Sequence, residues 1–259
     1  MLSSAFFASV RHSLFGGKLS QDQVDSIEAL ADAWDKYGNG NPDAFAYVLA
    51  TVYNEVGSEF QPKSENLNYT AKRIREVWPN KFRSVADATP YAKNPEGLAN
   101  KVYAGILGNT NKGDGWKFRG RGFAQLTGRV HYETFGKLLG VDLVGNPDLL
   151  LDRETGARVL VTGMVKGLFT GKKLGDYFGP NGDRPAQARA IVNGDVGRNG
   201  GKIAGYWEKF ARALHLASLQ PAPKPDAPTQ PGTPETPSAT GWLAAIIEFI
   251  INFIKGLRK

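Results

Sequence analysis

A chain of 259 residues without a cysteine carries no disulfide and no thiolate metal site. With 41% hydrophobic and 22% charged residues it has the balance of an ordinary globular protein, which excludes a disordered or fibrous chain. The net charge of +7, from 32 Lys and Arg against 25 Asp and Glu, suits an anionic surface or an acidic polymer. The basic residues are dispersed rather than run together, so nucleic acid is not expected as a partner. His12, His131 and His215 lie far apart with no HxxxH or HExxH spacing, and neither metal nor cofactor is expected. The first twenty residues lack a continuous apolar core, so no secretory signal is read there.

The elements follow in order. Phe6, Phe7, Val10, Leu14 and Phe15 share one helical face before Gly16 and Gly17 break the pattern. Ser20 is the candidate N-cap of a helix to about Tyr37, with Ile27, Leu30, Ala31 and Trp34 as its buried stripe. A turn at 38–42 leads into DAFAYVLATVYNEVG, whose Phe45, Val48, Leu49 and Val52 recur at helical intervals. Glu55 stands at the end of that helix, where the dipole disfavours a carboxylate and a basic residue would be stabilising. That placement marks Glu55 as a residue kept for chemistry.

Beyond it, a loop holds Glu59 and Glu65, and further helices are predicted over 70–77, 95–106, 132–139, 153–168, 185–192 and 200–217. No alternating strand pattern of useful length occurs, and the fold class is read as mainly α. The segment from Lys117 to Tyr132, KFRGRGFAQLTGRVHY, packs Gly120, Gly122 and Gly128 among Arg119, Arg121 and Arg129. Glycine at this density points to close backbone approach or to conformations a side chain forbids.

Three segments are expected: a folded body over 1–217, a linker over 218–240 with prolines from Pro221 to Pro237, and a tail over 241–259. In the tail, Glu248, Asn252, Lys255 and Lys259 form one polar stripe on an otherwise apolar helix. The apolar run is shorter than the roughly 20 residues that span a bilayer. An amphipathic helix lying in a membrane surface is the expected form, with self-association as the alternative.

Asn54 to Tyr69, then RGRGFAQLTGR, then IVNG at 191–194 together resemble the family 19 glycoside hydrolases, the plant-type chitinases and the related phage and prophage endolysins. The resemblance covers roughly residues 20–215 and implies a lysozyme-like helical fold with a substrate cleft. It implies Glu55 as general acid, Glu65 as the second carboxylate and Thr127 as the hydroxyl that holds the attacking water. It further implies Gln125, Asn193 and Tyr69 as substrate contacts; from the residues themselves His131, Arg119 and Arg121 are read as further substrate contacts, the two arginines alternatively as braces of the catalytic carboxylates. The chain departs from the family's usual pattern in having Asn54 before the acid and His131 where the family commonly has Asn.

The residue types agree with that chemistry. Glycoside hydrolysis needs one protonated carboxyl for the leaving oxygen and one carboxylate to activate water, about 6.5–9.5 Å apart in an inverting enzyme. Glu59 is the alternative second carboxylate. The expected function is an endolysin acting as a monomer on the β-1,4 bonds of peptidoglycan glycan strands. It would accumulate in the host cytoplasm and be released to the wall at lysis. A chitinase and a non-catalytic wall-binding protein are the alternatives.

Overall fold

The computed structural model describes residues 1–218, and they fold as a mainly α-helical body. The proline-rich linker and the helix read over 241–259 lie outside the described residues. Helix α1 spans Ser4–Ser13, α2 Gln21–Tyr37 and α3 Pro42–Val56. Each starts where its sequence supplies a cap: the Ser3 hydroxyl accepts from the Phe6 N–H, and the Asn41 side chain from the Asp43 and Ala44 N–H groups. Ser20 closes a capping box with Gln23, each side chain accepting from the other's main chain.

Helix α3 is the core of the molecule. Every residue from Ala44 to Val52 is buried, so it is apolar all round rather than amphipathic. α10 (Val196–Ser218) packs along it and also meets α1, while α9 (Arg153–Lys166) packs chiefly on α2. This cluster includes Phe6, Leu30, Tyr47, Phe60, Leu160 and Phe210. Full burial of each such side chain stabilises the fold by about 1.5–3 kcal/mol.

Two smaller clusters carry the middle of the chain. One joins Leu67 to α4 (Ala71–Val77), the short α5 (Val85–Ala88) and α6 (Pro95–Tyr103). The other joins Phe118 and Leu126 to α8 (Arg129–Leu139) and α9, the short α7 (Asp114–Lys117) preceding it.

The differences from the sequence reading have local causes. The helix predicted over 95–106 stops at Tyr103, because a turn follows in which Gly105, Leu107 and Gly108 all have positive φ. The helix predicted over 185–192 is a single 3-10 segment, Gln187–Ile191, and α10 begins earlier than predicted, at Val196. Two strands of two residues each, β1 (Lys63–Ser64) and β2 (Arg121–Gly122), pair antiparallel with Lys63 opposite Gly122 and Ser64 opposite Arg121. They are too short to show alternation in a sequence, yet they carry Glu65 to the glycine-rich segment.

Candidate active site

Glu65 follows β1 directly, and its N–H donates to the Gly120 carbonyl at 2.8 Å, extending the pairing by one residue. The Gly120 N–H returns a bond to Glu65 Oε2 at 3.3 Å. A Cβ on Gly120 would lie 3.2 Å from Gln125 Oε1, 3.3 Å from Glu65 Cβ and 3.4 Å from Thr127 Oγ1. Glycine here therefore serves close approach: one Cα is the meeting point of Glu65, Gln125 and Thr127.

A tight hairpin makes this possible. Arg121 and Leu126 bond each other's main chain in both directions, turning the chain through 122–125. Gly122 has φ +77, and a Cβ there would meet the Leu150 carbonyl at 2.9 Å. Gln125 also sits in the left-handed region, φ +50, a conformation that costs a non-glycine residue energy and that gathers at functional sites. Its amide donates to the Lys63 and Gly122 carbonyls, both at 2.9 Å, which fixes the side chain and bolts the hairpin to β1.

Thr127 donates its hydroxyl hydrogen to the Gln125 carbonyl at 2.9 Å. The oxygen keeps its lone pairs and so is set to accept from a water rather than to donate to one. His131 Nδ1 lies 2.6 Å from the Thr127 carbonyl. A carbonyl only accepts, so Nδ1 carries the hydrogen and the tautomer is assigned by that contact.

The two arginines of the motif differ. Arg121 is 4% exposed, and its guanidinium is occupied: Nε on Asp148 at 2.7 Å, Nη1 on the Lys117 and Arg119 carbonyls and near the Tyr132 hydroxyl. It braces the segment from behind, and the structure gives it no substrate-facing group to match its predicted contact. Arg119 is half-buried, stacks on the Trp116 ring at 3.7 Å and donates to the Trp116 carbonyl. Burial and the charge of Arg121 lower its pKa, opposed by Asp148, Tyr132 and Glu65. Tyr69 is half-buried against Trp78 and packs on the cluster that also takes Tyr103, whose hydroxyl donates to Glu65. Glu59 is exposed on its loop, apart from this cluster.

Glu55 is held by a different kind of partner. It ends α3, with Gly57 as C-cap at φ +78, and a cation reaches the helix end from outside the helix: Lys63 Nζ donates to the Val56 carbonyl at 2.9 Å. The Glu55 carboxylate pairs with Arg189 and accepts from Asn54 Nδ2 at 3.3 Å. Arg189, 3% exposed, also pairs through Nε with Asp195 at 2.5 Å, and Asp195 accepts from Asn199. Burial works to lower the Arg189 pKa, but the hydrogen bonds and charges of Asp195 and Glu55 raise it overall. The hydrogen bond from Arg189 holds the Asp195 carboxyl below the usual range.

Asn193 is exposed beside this group, its N–H on the Arg189 carbonyl at 3.0 Å. Arg189 and Asp195 flank the IVNG block, and sequence reasoning passed over both. The only signal was two opposite charges close to the motif.

The predicted residues thus fall into two sets, Glu65 with Gln125, Thr127, His131, Arg119 and Tyr69, and Glu55 with Asn193. A hollow of about 890 Å³ between α2 and α9, lined by Asp25, Glu28, Asp32, Lys36, Arg153 and others, contains none of them. No cluster of His, Asp and Glu poised to hold a metal occurs among the described residues.

No family model matches the chain. Over 129 residues it is 38% identical to a glycosyl hydrolase family 19 domain-containing protein of Haemophilus influenzae, covering 47% of this chain and 64% of that one. Over 40 residues it is 52% identical to Chitinase 8 of Oryza sativa subsp. japonica, 15% of each chain. The chain therefore spans less than two thirds of the length of the curated relatives it matches. Among solved structures it is similar to a chitinase C variant (18% identity, 86% of this chain and 95% of that one, TM-score 0.47). A bacterial family 19 chitinase is similar too (20% identity, 86% and 97%, TM-score 0.42).

Proposed function

We propose that this chain is a glycoside hydrolase of the family 19 type that cleaves β-1,4 bonds in the glycan strands of peptidoglycan by inversion, through a lysozyme-like cleft. The observation that carries the reading is the convergence of Glu65, Gln125 and Thr127 on the Cα of Gly120. Similarity over 129 residues to a family 19 domain-containing protein supports it.

In this reading a water accepted by Glu65 and oriented by the Thr127 oxygen attacks the anomeric carbon. Its proton passes to Glu65. The bond to the leaving oxygen breaks, and that oxygen takes the proton of Glu55. The Arg189 charge is shared with Asp195, so a protonated Glu55 leaves behind a neutral pair rather than an unpaired buried cation. Inversion is read directly from the anomer first released, by proton NMR.

Turbidity loss of purified peptidoglycan tests the assignment: the wild type clears it and Glu55→Gln does not. Equal clearing by both proteins overturns the role of Glu55. The rice relative and the structural neighbours are described as chitinases, and action on chitin is the second reading. Preference for soluble chitin oligomers over peptidoglycan would establish it.

An endolysin role, with accumulation in the host cytoplasm, release to the wall at lysis and action as a monomer, belongs to the same proposal. Membrane contact through residues 241–259 rests on their sequence pattern. Deleting them is expected to spare activity on purified wall and to reduce liposome binding. Unchanged liposome binding points to self-association instead.

A further inference from the structure

We propose that Tyr103 is the positioning residue of the general base, its hydroxyl bridging the two carboxylate oxygens of Glu65 and fixing the plane in which the attacking water is met. The proposal rests on the reading of Glu65 as the base. No motif points to Tyr103, which lies within the helix predicted over 95–106.

The Tyr103 hydroxyl lies 2.8 Å from Glu65 Oε1 and 3.0 Å from Oε2. An ionised carboxylate only accepts, so the phenol is the donor, and its single hydrogen is shared between the two oxygens. Burial first, then the charge and hydrogen bond of Glu65, raise the hydroxyl far above the usual tyrosine range. Tyr103 therefore acts as a neutral donor to Glu65. The Gly120 N–H adds a second donor to Oε2 at 3.3 Å. Oε1 carries fewer donors and is the oxygen that takes the proton of the water. In that step a water O–H bond breaks, an O–H bond forms at Oε1, and the water oxygen bonds to the anomeric carbon. The electron pair of the cleaved bond leaves with the oxygen protonated by Glu55. Tyr103 exchanges no proton.

The main chain around Tyr103 is anchored to the same wall. Its carbonyl accepts from Asn109 Nδ2 at 3.1 Å, and Asn109 Oδ1 accepts from the Arg129 N–H at 2.9 Å. Asn109 is 2% exposed, and its carbonyl closes the turn after Tyr103 by accepting from the Gly105 N–H at 2.8 Å. Arg129 opens α8 two residues after Thr127. One hydrogen-bonded chain thus carries both the donor that orients the base and the hydroxyl that orients the water.

The test is Tyr103→Phe in the full chain, which keeps the ring and removes only the donor. It is assayed beside wild type and Glu65→Gln on chitin hexasaccharide and on purified peptidoglycan. We expect kcat to fall about 10- to 100-fold, the scale of a misplaced catalytic group, with KM within about twofold and thermal unfolding unchanged. A kcat close to wild type, a loss confined to KM, or a large fall in melting temperature each overturns the proposal. These outcomes make Tyr103 a bystander, a substrate contact or a packing residue respectively. Failure of the underlying reading looks different: Glu65→Gln keeps the wild-type kcat, or the wild type itself cleaves neither substrate.

Discussion

The two candidate carboxylates, Glu65 and Glu55, are held in different ways. Glu65 is surrounded by neutral donors, the Tyr103 hydroxyl and the Gly120 N–H, on a frame set by a strand pair and a hairpin. Glu55 sits at a helix end against the buried guanidinium of Arg189, which Asp195 holds from the other side while itself accepting from Asn199. At Glu65 the hydrogen-bond donors are neutral and fix the plane of the carboxylate. At Glu55 the hydrogen-bonding partner is a cation whose charge Asp195 shares. In the proposed mechanism the first is the base and the second the acid.

Replacing either carboxylate cuts deepest. Glu55→Gln and Glu65→Gln are each expected to lower kcat by about 10²–10⁴-fold while retaining wall binding, measured by initial rates and by pull-down on insoluble wall. Asp195→Asn comes next. It leaves the Arg189 charge to Glu55 alone, and kcat is expected to fall roughly tenfold with KM unchanged, the effect of one lost bond to a charged group. A wild-type rate in this variant would remove the distinction between the two corners.

Arg121→Met should act on stability instead. Its loss leaves the Lys117 carbonyl without that donor, and we expect about 2 kcal/mol of destabilisation in urea with KM for the substrate unaltered. A changed KM would return Arg121 to the substrate surface.

The smallest effect concerns Asp114, which is 3% exposed and bonds Arg129 through both oxygens. The Arg129 hydrogen bond lowers its pKa, so its contribution is complete above the unfolded value of about 3.9 and is lost as pH falls through the lower folded value. Asp114→Asn should therefore cost about 1.5 kcal/mol at neutral pH, with the gap to wild type closing only below about pH 4.

Much of the helical body was legible in the sequence because its signals are local. Ser20 with Gln23, Asn41 before Pro42 and the apolar spacing of Phe45, Val48, Leu49 and Val52 each act within one or two helical turns. Glu55 could be singled out for the same reason, as a carboxylate at the wrong pole of a helix. The cation that completes that end, Lys63, comes from the strand that follows, beyond any rule about the last turn.

The sequence alone established a cysteine-free, mainly helical body and the glycine-dense segment, and it supplied the candidate residues for a two-carboxylate site. Tertiary structure decided which of those residues meet. The pairing of Lys63 with Gly122 spans a long stretch of chain and involves two-residue strands, so no periodicity announces it. It alone brings Glu65 to Gly120, and with it Gln125 and Thr127. Of the two roles the sequence leaves open for Arg121, substrate contact or brace, its burial fits the brace, while Tyr103, which no motif marks, holds Glu65. A side chain's type is written in the chain, but whether its polar atoms face solvent, substrate or a neighbour depends on residues far away in sequence.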